Sequence, residues 1–268
     1  MNSPPPPAGA AALNGALAAR VLRYLLRVPM LLWHLLIDLP VVLVLIALPL
    51  RKLRVGEERF DHWLIRAWSV GMMRVFGFRV RRIGAPVPGA AMFVANHVSW
   101  IDIQALHSQR MMGFVAKREI QNWPLIGWMA QRAETIFHHR GNTASLGGVL
   151  HEMRARLRSG RSVGVFPEGG ARGGGELGPF HARIFMAAVE AGVPVQPVAL
   201  RYGQGGSAQR TVAFAPGESF LGNFLRLLGE PARIAEVHFL MPIEPGQADG
   251  RRRLAELARS RIGEAMES

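Results

Sequence analysis

The sequence predicts an α/β fold: a mixed sheet flanked by helices, with an N-terminal membrane-associated helical segment. Three observations carry this. Short apolar runs fit strands near residues 79–83, 91–95, 112–116, 134–138, 162–166, 195–201, 211–214 and 235–241, with helical patterns between many of them. Hydrophobic residues make up 49% of the 268, ample for a core and too many for a disordered chain. The stretch from Val28 to Leu50 contains no lysine or arginine and, if helical throughout, is long enough to cross a hydrocarbon core of roughly 30 Å. The division that follows is a disordered tail over 1–19, a membrane-anchoring helical segment over 20–57 and an α/β domain over 58–268.

Residues 1–19 open on a proline run and continue rich in alanine and glycine, the composition of a tail. In the anchor, Pro29, Pro40 and Pro49 punctuate the apolar stretch, and His34 and Asp38 lie one turn apart within it. Arg20, Arg23 and Arg27 precede it and Arg51, Lys52 and Arg54 follow it, so the positive-inside rule places both ends in the cytoplasm. The expectation is a re-entrant or interfacial helical hairpin, with His34 and Asp38 at headgroup level. The run is too long for a cleaved signal peptide and no small-x-small site closes it. Phe60 to Phe76 reads as an amphipathic helix with Trp63, Trp68 and Met72 on its apolar side, with core packing as the default.

The apolar run Ala90–Ala95 is a strand, and Ser99 with Asp102 three residues later reads as a capping box that starts a helix. His97 then falls in the strand-to-helix turn. Residues five apart do not share a helix face, so His97 and Asp102 meet only because His97 precedes the helix. A neutral imidazole takes a proton from a hydroxyl when a carboxylate fixes its tautomer, so the two form a candidate acid–base dyad. Phe114 to Glu119 and Ile136 to Asn142 read as apolar strands that deliver cations, Lys117 and Arg140, into loops, where such groups can hold phosphate or, taken singly, be solvated loop charges. Gly164 to Gly170 is a strand that breaks at Pro167 into glycines with Glu168 at its end. Between the first two basic blocks, Met111, Met112, Trp123 and Trp128 read as core, with the lining of an apolar ligand tunnel as the alternative.

Gly160-Arg161-Ser162-Val163-Gly164 matches the G-x-S-x-G pattern of serine esterases, but a helix precedes the serine and the strand follows it, the reverse of a nucleophile elbow. Gly160 is read instead as a helix C-cap and Ser162 as the first strand residue. The C-terminal stretch Ala248 to Met266 is an amphipathic surface helix carrying Arg251, Arg252, Arg253, Arg259 and Arg261. The net charge is +13, and of 32 basic residues only Lys52 and Lys117 are lysine. Such a surface favours anionic lipid headgroups and acidic carrier proteins. No nucleic-acid motif or basic stripe interleaved with aromatics accompanies it, so no nucleic-acid partner is expected. The chain has no cysteine, which excludes disulfides and thiol catalysis, and its nine histidines show no zinc spacing, so no metal is expected.

In this order the segments resemble the 1-acylglycerol-3-phosphate acyltransferase family of glycerolipid acyltransferases. His97 and Asp102 fall on its H-x4-D block, Arg140 and Gly141 on its arginine-glycine block, Phe166 to Gly169 on F-P-E-G, and Val193 to Val198 on its last block. The resemblance implies that His97 is the general base for a lysolipid hydroxyl that attacks an acyl-carrier-protein or acyl-CoA thioester, with Asp102 orienting the ring and no cofactor beyond that co-substrate. It implies that Arg140 binds the acceptor's phosphate or headgroup with Lys117 as helper, and that Glu168 and Gly169 shape the acceptor site. One departure stands out: the family continues F-P-E-G with threonine and arginine, whereas here Gly170 and Ala171 follow and Arg172 comes one place late, so either Arg172 binds the same anion from the glycine loop 173–175 or the acceptor carries no phosphate.

Lysophosphatidic acid is the preferred acceptor and lyso-ornithine lipid the alternative. The rival of a different class is a non-catalytic basic membrane-binding protein, which leaves the ordered motifs unexplained. The expected location is the inner (cytoplasmic) membrane, with the catalytic domain on its cytoplasmic side.

Overall fold

The computed structural model describes residues 8–48, 50, 53–124, 126–138, 143–171 and 173–268. A small hairpin pairs β1 (Arg54–Val55) with β2 (Glu58–Arg59). Seven further strands make one sheet: β3 (Phe78–Ile83), β4 (Met92–Ala95), β5 (Gly113–Lys117), β6 (Ile136–His138), β7 (Val163–Val165), β8 (Val195–Tyr202) and β9 (Arg233–Phe239). Their order is β3-β9-β8-β4-β7-β5-β6. Only the β8–β9 pair is antiparallel, so the sheet is mixed, as the sequence predicts.

The central strands are apolar on both sides because both sides are covered. Phe93 and Ala95 of β4 and Val198, Leu200 and Tyr202 of β8 pack into one core, whereas Met92, Val94, Val195 and Ala199 pack into the other. The first core lies under α3 (Phe60–Val75), α4 (Ile101–His107) and α9 (Phe220–Gly229). The second lies under α6 (Thr143–Arg158), α7 (Met186–Ala191) and α10 (Gly250–Glu267). Burying each large side chain of these layers stabilises the fold by roughly 1.5–3 kcal/mol. The remaining helices of the domain are α5 (Ile126–Arg132) and α8 (Gln209–Val212).

The N-terminal segment differs from the expected hairpin. The helices α1 (Ala8–Trp33) and α2 (Leu39–Ala47) are joined by a π turn over His34–Asp38 into one unbroken rod. In the π turn the Leu39 N–H reaches the His34 carbonyl five residues back. Pro40 follows it directly, so the widened turn takes up the ring and the missing donor that would break a regular helix. Pro49 lies outside the described residues. The rod also begins at Ala8, inside the stretch expected as a tail, because the alanine-rich residues that follow the proline run favour helix. Leu13–Ala47 is long and apolar enough to cross a membrane. Leu22, Leu25, Leu26, Trp33, Leu36 and Val44 along it are exposed.

The middle of the rod is tied to α9. Arg23 Nε donates to the Gly229 carbonyl (2.6 Å), Tyr24 Oη to Leu225 (2.9 Å), and Arg27 Nη1 to Leu228 (2.9 Å) and Glu230 (2.7 Å). The two arginines meet carbonyls at the α9 C-terminus, where a helix leaves such groups without internal partners.

A second difference lies at residues 211–214, where a strand is expected. Residues 209–212 form α8 instead. The Gln209 side chain closes the end of β8, accepting from Tyr202 N–H (2.9 Å) and donating to the Leu200 carbonyl (2.9 Å). The Val212 and Ala213 carbonyls accept from Asn223 Nδ2, so they take no part in a ladder.

Candidate active site

β4 leads through α4 to β5 on one side of the sheet, whereas β8 on its other side continues to β9. The crevice at the carboxyl end of β4 is therefore where the winding changes direction, the usual place for a site in an open α/β sheet. His97 stands there. So do the residues that follow β7, because β4 and β7 are parallel neighbours in register from Met92↔Val163 to Val94↔Val165. Asn96 is buried and pins the crevice wall: its Nδ2 donates to the Leu200 carbonyl (3.0 Å) and its Oδ1 accepts from Leu200 N–H (2.7 Å).

The His97–Asp102 pair forms as the spacing predicts. His97 Nδ1 lies 2.8 Å from Asp102 Oδ2. The same oxygen accepts from Val98 N–H (2.6 Å) and Ser99 N–H (2.9 Å), while Oδ1 accepts from Tyr202 Oη (2.6 Å). Asp102 is 0% exposed, so these four donors replace its hydration. A carboxylate stripped of water without them would cost several kcal/mol.

Only half of the expected capping box is present. Asp102 reaches back to Ser99 N–H, but the Ser99 hydroxyl donates to Asn223 Oδ1 (3.1 Å). Trp100 Nε1 gives to the same oxygen (3.1 Å), so α9 holds the turn that carries His97. Phe166 stacks on the imidazole (centroids 4.1 Å, 16° between planes) and Phe114 stacks on Phe166 (5.4 Å). With Nδ1 committed to Asp102, Nε2 is the lone-pair nitrogen, and it has no hydrogen-bond partner among the described residues. The side chain is 18% exposed, enough to meet a ligand in the crevice.

Glu168 is buried and its two oxygens serve two backbone segments. Oε1 accepts from His97 N–H (2.9 Å) and Oε2 from Gly178 N–H (2.9 Å). It thus joins the β4 turn to the loop that leads to α7. Arg259 of α10 grips the same loop, donating to the Leu177 (2.7 Å) and Gly178 (2.9 Å) carbonyls. Gly169 has φ +76°, and a Cβ there would come within 3.0 Å of the His181 ring, so glycine is required on both counts. Asn96, His97, Glu168, Gly175, Leu177 and Gln209 line a narrow cleft beside the dyad.

Lys117 ends β5 at the same edge of the sheet, separated from β4 by β7. Its side chain is exposed and makes no hydrogen bond to the described residues. Arg140, Gly141 and Arg172 lie outside the described residues. Ser162, of the G-x-S-x-G match, sits at the opposite edge, before β7, with its hydroxyl 3.4 Å from the Gly89 carbonyl. The described residues contain no cluster of His, Cys, Asp or Glu that could hold a metal ion.

Tyr202, Asn223 and the stacking role of Phe166 escape a reading of the sequence. One signal for Tyr202 is present: it is one of only two tyrosines and stands at the end of a mostly apolar run, and a buried phenol needs an acceptor. Burial and the neighbouring Asp102 carboxylate hold its hydroxyl well above the usual phenol range, so it remains a donor.

The geometry agrees with what comparison with known proteins finds. A family model described as Acyltransferase matches residues 79–201. A lyso-ornithine lipid O-acyltransferase from Pseudomonas aeruginosa is 34% identical over 206 residues, 77% of this chain and 78% of that protein. A second protein of that name, from Brucella abortus, is 32% identical over 73% of this chain and 78% of its own length. A 1-acyl-sn-glycerol-3-phosphate acyltransferase from Neisseria gonorrhoeae is 38% identical over 126 residues, 47% of this chain and 49% of that one. The fold is that of the crystal structure of the 1-acyl-sn-glycerophosphate acyltransferase PlsC from Thermotoga maritima, with a TM-score of 0.68 at 19% identity over 91% of this chain and 96% of that one. A strand-end histidine held by a buried carboxylate, on this sheet and among these relatives, makes the chain an acyltransferase of the lysophospholipid acyltransferase family.

Proposed function

We propose that the protein transfers a fatty acyl group from an acyl-carrier-protein or acyl-CoA thioester to the free hydroxyl of a lysolipid at a membrane surface, with His97 as general base. The observation that carries the reading is the division of labour on the imidazole: His97 lines the cleft, Nδ1 is held by Asp102, and Nε2 has no hydrogen-bond partner among the described residues. His97 Nε2 takes the hydroxyl proton as the oxygen attacks the thioester carbonyl. The C–O bond forms, the C–S bond breaks, and the proton passes to the departing thiolate. Acceleration comes from positioning in a ternary complex together with base catalysis, the latter contributing about 10²–10⁴-fold. Asp102 fixes the tautomer, and Glu168 fixes the backbone at His97.

For the acceptor, lyso-ornithine lipid now takes precedence over lysophosphatidic acid. The relatives that match about three quarters of the chain carry the lyso-ornithine name, and the Gly170-Ala171 departure after Glu168 removes the usual threonine and arginine. The second reading, lysophosphatidic acid with Arg140 and Lys117 on its phosphate, is favoured by the Arg140-Gly141 block and by the Neisseria relative. The exposed apolar side of the α1–α2 rod, with the basic surface of the domain, supports attachment to the cytoplasmic leaflet of the inner membrane.

The test is acyl transfer by purified protein in detergent, with radiolabelled acyl-carrier protein or acyl-CoA against each acceptor and His97→Ala alongside. His97-dependent acylation of lyso-ornithine lipid is the expected result. Phosphatidic acid as the sole product replaces the acceptor assignment, and transfer that survives His97→Ala ends the base assignment.

A further inference from the structure

We infer that Tyr202 is a positioning residue of the reaction: its hydroxyl, on the Asp102 oxygen that His97 does not use, sets the orientation and basicity of the dyad. The inference rests on His97 being the base. Asp102 divides its acceptors unequally. Oδ2 takes His97 Nδ1 and two backbone N–H groups, all supplied by residues 97–99. Oδ1 takes Tyr202 Oη alone, at 2.6 Å, from a strand 100 residues further along the chain.

The phenol has no freedom to do anything else. Tyr202 is 1% exposed, its ring stands edge-on to Phe78 (5.6 Å), and its backbone N–H is held by Gln209 Oε1. Its hydroxyl therefore arrives at Asp102 already oriented, and it stops the carboxylate from rotating about its Cβ–Cγ bond. Such a bond does more than fill space. A hydrogen bond to an ionised group is about twice as strong as a neutral one, and it draws negative charge away from the oxygen that faces the imidazole.

Loss of the phenol hydroxyl then has two consequences, and both act in one direction. The charge left on Asp102 concentrates on Oδ2 and favours the imidazolium, while the unsatisfied Oδ1 makes the carboxylate easier to protonate. Each removes the active form, neutral His97 beside ionised Asp102, at a higher pH than before. Among the described residues the other titratable groups around the ring are Glu168, which receives His97 N–H, Glu176 in the cleft wall and His181 beside Gly169. Tyr202→Phe touches none of them.

The experiment is the pH profile of kcat/KM for wild type and Tyr202→Phe, with melting temperature measured in parallel. The variant keeps the ring, and is expected to lower kcat by about tenfold or more, to leave acceptor KM within about twofold, and to move the acidic limb up by about one pH unit. A residue that only fills the core would lower the melting temperature and leave the limb in place, and that result overturns the inference.

If Tyr202→Phe does not fold, wild-type protein made with 3-fluorotyrosine decides the matter. Tyr24 is the only other tyrosine, so Tyr24→Phe isolates the effect. The more acidic phenol is a stronger donor and is expected to move the limb down; an unmoved limb overturns the inference. His97→Ala separates the two readings. If it keeps activity, the base assignment fails; if it abolishes activity while Tyr202→Phe leaves limb and kcat unchanged, only the role of Tyr202 fails.

Discussion

Two histidine–aspartate pairs in this molecule have nearly the same length and opposite meanings. His34 Nδ1 lies 2.9 Å from Asp38 Oδ2 in the π turn of the N-terminal rod, and His97 Nδ1 lies 2.8 Å from Asp102 Oδ2 at the head of α4. Both rings stack on an aromatic neighbour, Trp68 and Phe166 respectively. The difference is in the second nitrogen. His34 Nε2 faces the Trp68 carbonyl at 3.0 Å, so both nitrogens are engaged within the protein and neither is open to a substrate. Its partner is also loosely held, since the Asp38 side chain is 42% exposed whereas that of Asp102 is 0% exposed. The comparison teaches that a His–carboxylate distance does not identify a base. What identifies one is a buried carboxylate with both oxygens hydrogen-bonded and an imidazole with one nitrogen open.

The largest effect that would break this contrast is on activity. His97→Ala is expected to lower acyl transfer by about 10²–10⁴-fold with the melting temperature little changed, whereas His34→Ala leaves kcat within about threefold, both measured on protein in detergent. Equal losses at the two positions would erase the distinction.

Next comes the carboxylate. Asp102→Asn puts an amide where Val98 N–H, Ser99 N–H, His97 and Tyr202 all seek an acceptor, so a fall in kcat of about 10²-fold or more is expected, with a loss of about 1–3 kcal/mol in denaturant unfolding. Asp38→Asn, at a half-exposed site, is expected to cost under about 1 kcal/mol.

A third histidine sharpens the point, because it is buried with no carboxylate. His107 Nε2 donates to the Met112 carbonyl (2.9 Å), and burial pushes its pKa down to about 4. The folded state thus holds the neutral ring, and protonation favours the unfolded chain. Its contribution is present above the unfolded value of about 6.5 and is lost as pH falls toward 4, by up to about 3 kcal/mol. Denaturant midpoints measured from pH 7 to pH 4 should fall over this range, and His107→Gln should flatten that slope. The smallest effect concerns the rod: His34→Ala removes the ties to Asp38 and to the Trp68 carbonyl and is expected to cost about 1–2 kcal/mol of stability. A loss of activity without a loss of stability would reopen His34 as a functional group.

Much of the fold was legible. Seven of the eight expected strands lie within a few residues of strands in the sheet, and the three long helices of the domain, over 60–75, 143–158 and 250–267, occupy apolar-periodic segments. The exceptions have physical reasons. Val212 is buried as a strand residue would be, but Gln209 and Asn223 claim the backbone around it. The basic residues on both sides of the N-terminal segment suggested a hairpin, but the π turn absorbs Pro40 without a bend back. Within the candidate site, His97, Asp102, Glu168 and Gly169 come together, and Lys117 shares their edge without contacting them.

What the sequence determined by itself about this protein is what depends on short spans: the strand runs, the place of His97 before a helix and of Asp102 in its first turn, and the order of the blocks. A five-residue spacing across a turn constrains its own geometry. Only the tertiary structure decided which polar groups are satisfied and which are left open. The Glu168 bond to His97 N–H spans 71 residues, and the Tyr202 bond to Asp102 spans 100. Periodicity and capping act within a few residues, whereas the partners of a buried charge are set by which strands become neighbours in the sheet.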